Sequence, residues 1–182
     1  RDLTAVAWVS TNITALKDAI GLDGVANEAS TLTATAANGT CFNAITIASA
    51  EYNTSFYVRR KTGTGTVEMT DNGGTNYTTI VLTSAYQRFD LTRTQANPSI
   101  GFRIVTSGDE IEVDFSQCEL GDHPSSEIET ITVAESRIKS QLSVDSAGLI
   151  NDSEGAAYLE FIPHFSISTG TRYMVITAGT GR

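Results

Sequence analysis

Residues 100–120 read IGFRIVTSGDEIEVDFSQCEL, and this stretch decides the class of fold. Apolar and polar side chains alternate over 100–106 and again over 110–120, and a period of two is typical of β-strands. The Ser-Gly-Asp between them, at 107–109, favours a tight turn. The stretch therefore predicts two strands joined by a short turn.

The same pattern extends outward through most of the chain. Further strands are expected at 3–10, 31–37, 42–48, 54–60, 66–70, 77–82 and 88–94. Strands at intervals of about 8–12 residues predict a β-sandwich or barrel. Asn38-Gly39 is expected to form a two-residue hairpin turn, because type I′ turns need a positive φ at both central residues. Residues 13–27 break the alternation, and we expect an irregular connection there.

The composition agrees with an all-β fold. Of the 182 residues, 40% are hydrophobic and 18% are charged, against about 25% charged in an average soluble domain. Thr and Ser make up the difference, and this mixture excludes a disordered chain and a helical bundle. The net charge of −9 disfavours nucleic acid and anionic membranes as partners. Since no long apolar run is present, no membrane insertion is expected.

A change of composition near residue 121 predicts a domain boundary. We expect a first β domain at 1–121, a polar linker at 122–127 and a second β module at 128–182 that is too short to be complete. The start without Met and the end directly after a strand-like run predict a fragment of a longer polypeptide. Cys41 and Cys118 show no C-x-x-C spacing, so two buried free thiols are expected, with a pairing of the two as the alternative.

Several runs in the first domain carry a resemblance to a known family. They are AWVST at 7–11, GLDGVAN at 21–27 and STLTAT at 30–35, followed by SFYVR at 55–59 and QCELG at 117–121. In this order they resemble the carbohydrate-binding-module-like jelly rolls of bacteriophage tail and fibre proteins.

The resemblance implies a jelly-roll sandwich at 1–121. It departs from the family at Leu22, where a proline is usual, and at 124–126, where Pro-Ser-Ser replaces Pro-Thr-Thr. Residues 153–161, SEGAAYLEF, resemble the opening strand of a concanavalin-like lectin sandwich. The partial module at 128–182 is therefore expected to be lectin-like.

The function that the resemblance implies is structural and non-catalytic. The chain is expected to be an adhesion or assembly component of a bacteriophage virion, in a tail, fibre or capsid appendage, that binds host-surface glycans. Its partners would be other virion proteins or copies of itself, with a trimer favoured, because oligomer packing covers exposed strand edges. The alternative is a carbohydrate-binding module of a secreted glycan-degrading enzyme.

A glycan site needs exposed aromatic rings that stack on sugars, together with hydrogen-bonding side chains. The residues expected to supply them are Tyr52, Tyr57, Tyr77, Tyr86, Arg59 and Arg88. Trp8 lies in an apolar strand and is expected in the core. The alternative is that the tyrosines are ordinary rim residues, since the chain has no excess of aromatic residues.

Jelly-roll binding modules often hold one structural calcium ion near the first loop, and the resemblance implies such an ion here. Carboxylates are the ligands that Ca²⁺ prefers. Asp23, Glu28 and Asp114 are the candidate ligands, on the condition that the last strand lies beside the first.

No catalytic motif of a serine hydrolase, zinc protease or nucleotide-binding enzyme occurs in the sequence. Glu110, Glu112 and Asp114 share one strand face because they alternate. Paired carboxylates serve glycoside hydrolysis, but a solvated sheet face is the simpler interpretation. A non-enzyme is therefore expected.

Overall fold

The computed structural model describes residues 1–129, which form ten β-strands and no helix. The strands are β1 (Trp8–Thr11), β2 (Ile13–Ala19), β3 (Ala29–Ala34), β4 (Gly39–Ala44), β5 (Ala50–Thr62), β6 (Val67–Thr70), β7 (Thr78–Ile80), β8 (Gln87–Gln95), β9 (Ser99–Ile104) and β10 (Glu110–Leu120). The expected all-β class is confirmed. In this part of the chain no helix is long and apolar enough to span a membrane.

The strands form two five-stranded sheets. Sheet A has the order β1-β4-β9-β6-β7, and sheet B has the order β2-β3-β10-β5-β8. Neighbouring strands within each sheet are antiparallel. Most neighbours are distant in sequence, because the chain crosses repeatedly from one sheet to the other. This is the jelly-roll sandwich that the sequence predicted.

The core lies between the sheets. Phe56 of sheet B meets Phe102 of sheet A edge-on, with ring centroids 4.6 Å apart, and both side chains are completely buried. Trp8 was expected in the core; it is partly buried and packs against the core, with its ring centroid 6.3 Å from that of Phe56. Alternate residues of each strand point into this layer, and the residues between them point outward.

β10 occupies the centre of sheet B, where it pairs with β3 on one side and β5 on the other. Its bounds are those predicted from the alternation. A β-bulge interrupts the register between Asp114 and Gln117, and Phe115 adopts a φ of +43°. Bulges of this kind redirect a side chain, and Phe115 turns toward the outer face, where its ring lies 6.4 Å from that of Tyr57.

The prediction for residues 13–27 was partly wrong. Residues 13–19 form β2, an edge strand that pairs with β3, and only the following residues form a loop. Ile13 and Ala15 pack against the core. Lys17 and Asp18, which have low strand propensity, fall in a register irregularity of β2 between Leu16 and Ala19.

The Asn38-Gly39 hairpin was also predicted wrongly. Asn38 has the expected positive φ of +57°, but β3 and β4, which flank this turn, belong to different sheets. The turn therefore carries the chain across the sandwich. Gly39 is required there because a Cβ would lie 2.5 Å from the carbonyl oxygen of Asn12.

The first and third expected strands are shorter than predicted. The first begins at Trp8 instead of residue 3, and Val6 is 99% exposed in a turn region. The third ends at Ala44 instead of residue 48. The expected lectin-like module at 128–182 lies outside the described residues apart from its first two positions, and it stays a prediction.

Cys41 and Cys118 are free, as expected, with Cys41 buried and Cys118 partly buried. Burial raises the pKa of both thiols, and the thiolate is the form that reacts with alkylating agents. We expect Cys41 to resist iodoacetamide in the native protein at about pH 8, while Cys118 reacts slowly. Both should react readily in guanidinium chloride, as measured by peptide mass spectrometry. Fast native alkylation of Cys41 would contradict the core packing described above.

Candidate functional site

The six residues expected to bind a glycan do not form one cluster. Four lie on the outer side of sheet B: Tyr57, Arg59, Tyr86 and Arg88. Tyr77 lies on the outer side of sheet A, and Tyr52 is buried. The two outer faces of the sandwich are therefore separate candidate sites.

Tyr52 was expected at an exposed strand edge, and this was wrong. β5 begins at Ala50, so Tyr52 lies inside the strand and is only 8% exposed. Its hydroxyl donates a hydrogen bond to the carbonyl of Ala48 at 2.8 Å. A ring in this position has no free face for a sugar.

Arg59 and Tyr86 form one half of the sheet B face. The Arg59 guanidinium pairs with Glu112 and lies 4.4 Å from the centroid of the Tyr86 ring. The Tyr86 hydroxyl donates to the carbonyl of Ile20 at 2.9 Å. Burial raises the pKa of Tyr86 to about 12. This half of the face is therefore partly covered by the loop that follows β2.

Tyr57 and Arg88 form the other half. The Tyr57 hydroxyl donates to a carboxylate oxygen of Glu127, and the Arg88 guanidinium lies 5.4 Å from the Tyr57 ring centroid. Burial, and then Glu127, raises the pKa of Tyr57. Arg88 also donates to the carbonyl of Ser125 at 2.6 Å. Residues that follow β10 thus lie over this half of the face.

The three candidate calcium ligands converge, although the last strand does not lie beside the first: β10 lies between β3 and β5 in sheet B, and β1 belongs to sheet A. Their carboxylates surround the guanidinium of Arg1. Nε of Arg1 lies 2.8 Å from Asp114, and Nη2 lies 2.9 Å from Asp23. Nη1 lies 3.8 Å from Glu28. The hydrogen bond to Asp114 is the main cause of the raised pKa of Arg1.

As placed, these carboxylates neutralise a guanidinium and do not fit a calcium ion. Within residues 1–129, no group of three Asp, Glu, His or Cys side chains is spaced to hold a metal. The calcium ion stays a prediction from the resemblance. What the structure shows instead is a buried ion pair, with Asp114 fully buried and the Arg1 side chain 9% exposed.

The acidic row of β10 lies on one face, as its alternation predicted, but it is not simply solvated. Glu112 and Asp114 are buried and pair with Arg59 and Arg1. Glu110 accepts a hydrogen bond from Thr33 at 2.9 Å. Two carboxylates of this row are therefore neutralised by arginines, and the third, Glu110, is held by threonine hydroxyl groups.

The outer face of sheet A carries a different arrangement. Arg103 of β9 donates to Glu68 of β6 at 2.5 Å, and its guanidinium lies 3.8 Å from the ring centroid of Tyr77. The register places Arg103 opposite both Thr40 and Glu68. A cation, a carboxylate and an aromatic ring therefore meet at the middle of this sheet.

Phe42 provides a second ring on the same face. It faces outward because Cys41 beside it is in the core, and the register sets it between Val9 and Gly101. A Cβ on Gly101 would lie 2.0 Å from the carbonyl oxygen of Cys41 and 2.9 Å from the Phe42 ring. Only glycine fits there, so the ring lies close against the sheet backbone.

The outer face of sheet A is open, whereas that of sheet B is partly covered by neighbouring segments of the chain. Val9 is 67% exposed, and Thr11, Ala44 and Thr79 on the same side are exposed as well. Of the six glycan-site residues predicted from the sequence, only Tyr77 lies on this face. Phe42 and Glu68, which the sequence analysis missed, follow from strand parity once Cys41 and Met69 are placed in the core.

No family model and no curated protein matches the chain. Among solved structures, the CBM22-1 and GH10 modules of a Clostridium thermocellum endo-1,4-β-D-xylanase with xylohexaose align with a TM-score of 0.48 and 13% identity. That alignment covers 68% of this chain and 28% of the other.

Two further structures align over similar parts of the chain. The CBM22-1 xylan-binding domain from Paenibacillus barcinonensis has a TM-score of 0.43 and 10% identity, over 63% of this chain and 85% of that one. The tailspike protein 4 of bacteriophage CBA120 has a TM-score of 0.44 and 13% identity, over 63% and 19%. Likenesses at this level do not establish a function for the chain.

The buried Arg1–Asp114 pair leads to a prediction about stability. Asp114→Asn removes the fully buried carboxylate beside Arg1 and leaves that guanidinium with the more exposed carboxylates of Asp23 and Glu28, which should cost about 3 kcal/mol of unfolding free energy. Asp18→Asn is the matched control, since Asp18 is exposed, and it should change stability by less than about 0.5 kcal/mol. Urea denaturation at neutral pH measures both. Equal midpoints for the two variants would show that the pair does not stabilise the fold.

Proposed function

We propose that this chain is a non-catalytic glycan-binding module and that the polysaccharide binds on the outer face of sheet A. One observation carries the proposal. The rings of Tyr77 and Phe42 lie on an open sheet face together with the Arg103–Glu68 pair. The proposal assigns no catalytic step to any residue.

The chemistry of this face suits a sugar. Aromatic rings offer flat apolar surfaces to the C–H faces of pyranose rings, while charged side chains hydrogen-bond the hydroxyl groups. Arg103 donates and Glu68 accepts, so the pair can satisfy both functions of a hydroxyl. The stacked guanidinium and the close-packed Gly101–Phe42 contact hold these groups before a ligand arrives, which lowers the entropic cost of binding.

The faces differ in what a ligand would have to displace. On sheet B, Tyr57 and Tyr86 already use their hydroxyls on Glu127 and Ile20. On sheet A, the exposed positions around Phe42 and Tyr77 leave room for a polymer to lie across the strands. Sheet A is therefore the better site for a ligand that binds without rearrangement.

The wider setting is also part of the proposal. A glycan-binding face formed within residues 1–129 favours the alternative predicted from the sequence, a binding module of a secreted glycan-degrading enzyme, over the virion component. An extracellular location follows from a polysaccharide ligand. The trimer, the virion partners and the virion location stay predictions.

The proposal is tested on a glycan array with variants of the two faces. Tyr77→Ala and Phe42→Ala should each weaken binding about tenfold, which corresponds to about 1.4 kcal/mol, because each removes a stacking ring. Titration calorimetry on the best array ligand gives the dissociation constants.

Tyr86→Ala is the matched control, because it removes the same type of ring from the half of sheet B that the loop after β2 covers. It should leave that affinity unchanged. If Tyr86→Ala abolishes binding while Tyr77→Ala does not, the site is on sheet B. If the intact chain binds no glycan, the proposed function is wrong.

A further inference from the structure

The segment that follows β10 is held against the outer face of sheet B. We call residues 122–128 the strap. At its start, the Gly121 amide donates to the carbonyl of Glu51 at 3.0 Å, and the Thr92 hydroxyl donates to the carbonyl of Asp122 at 2.9 Å. A polar segment that the sequence predicted to be a linker is therefore fixed to strands β5 and β8.

Side chains of β10 hold the middle and the end of the strap. Glu119 accepts hydrogen bonds from the Ser125 amide at 2.7 Å and from the Ser125 hydroxyl at 2.6 Å. Gln117 accepts one from the Ile128 amide at 3.3 Å. The strap is thus held through backbone amides and carbonyls and through short polar side chains.

Glu127 makes the central contact. Its carboxylate accepts a hydrogen bond from the Tyr57 hydroxyl and lies 3.6 Å from Nη1 of Arg88. A phenol and a guanidinium that converge on one point form a strong site for a carboxylate. The chain therefore fills a carboxylate site on its own surface with its own side chain.

Two polar atoms on the outer side of sheet B are buried without hydrogen-bond partners. Asn53 lies on the outer side of β5, yet it is completely buried, and its Oδ1 has no hydrogen-bond partner. Nε of Arg88 is buried without a partner too. Buried polar atoms of this kind are unfavourable, and they offset part of the stability that the hydrogen bonds of the strap provide. The covered state is therefore one that a better ligand can replace.

We propose that the strap is an internal competitor, and that its release opens a groove around Tyr57, Arg88 and Asn53 that binds a uronic-acid oligosaccharide. The sugar carboxylate takes the place of Glu127 between Tyr57 and Arg88. This groove is on the outer face of sheet B, whereas the proposed polysaccharide site is on the outer face of sheet A. Both would bind carbohydrate, but they have no residue in common.

The unsatisfied atoms favour a sugar acid over an acidic peptide. Oδ1 of Asn53 needs a donor, and Nε of Arg88 needs an acceptor. A uronic acid carries hydroxyl groups on the same ring as its carboxylate and can supply both. The strap is itself an acidic peptide, and it leaves both atoms unpaired.

The test uses the full chain with Glu127→Gln, which removes the charge at Arg88, and with Glu129→Gln as the matched control. Glu129 is exposed two residues further on. Hydrogen exchange of the Ser125 and Ile128 amides reports strap release without any ligand. We expect exchange to rise about tenfold in Glu127→Gln and not in Glu129→Gln.

Binding is then measured with trigalacturonic acid and with its neutral galactose counterpart. Since apparent affinity scales with the fraction of open molecules, Glu127→Gln should bind trigalacturonic acid about tenfold more tightly than the parent chain. Adding Arg88→Gln should abolish that gain, and the neutral sugar should show no gain.

Three results would overturn the inference. Unchanged exchange in Glu127→Gln would show that Glu127 does not hold the strap. Raised exchange with unchanged affinity would show that the strap is not a competitor. Binding of a synthetic peptide of residues 121–129, without binding of trigalacturonic acid, would make the groove a peptide site. Polysaccharide binding by the Tyr77→Ala variant tests the proposed site on sheet A separately, because Tyr77 is not part of the groove on sheet B.

Discussion

The contact between the two sheets is the constraint on which the rest of the structure depends. Phe56 and Phe102 meet at its centre, and strand geometry then gives every neighbouring residue a side. Tyr57 points outward because its neighbour Phe56 points inward, and Arg103 points outward because its neighbour Phe102 points inward. Both candidate faces are therefore consequences of one buried layer and the two-residue period of a strand.

The alternation of inward and outward side chains gives each sheet an outer face, and the two outer faces differ in how far they are covered. Sheet A keeps an open surface with two rings and one ion pair, whereas sheet B is covered by a loop on one half and by the strap on the other. The difference comes from the connections and not from the strands. The loop after β2 reaches Tyr86, and the segment after β10 reaches Tyr57.

Charge in this protein is used mainly in pairs. Asp71, Asp109 and Asp114 are all buried, and each is matched by an arginine at 2.8–3.1 Å: Arg93, Arg60 and Arg1. A buried carboxylate without such a partner would be strongly destabilising. Arginine suits this role because its planar fork matches a carboxylate. Few charges remain to interrupt the Thr-rich strand surfaces, which agrees with the low charged fraction of the sequence.

The sequence by itself determined the all-β class, most of the strands and the full extent of β10, because period-two alternation and turn residues are local signals. The sequence also indicated that the carboxylates of Asp23, Glu28 and Asp114 could meet, but it did not indicate that Arg1 is their partner. Only the tertiary structure decided that Asn38-Gly39 crosses between sheets, that Tyr52 is buried, and which rings share a face. Those outcomes depend on which strands become neighbours, and strand neighbours in a sandwich are distant in sequence. The local alternation of apolar and polar residues therefore does not predict which strands pair.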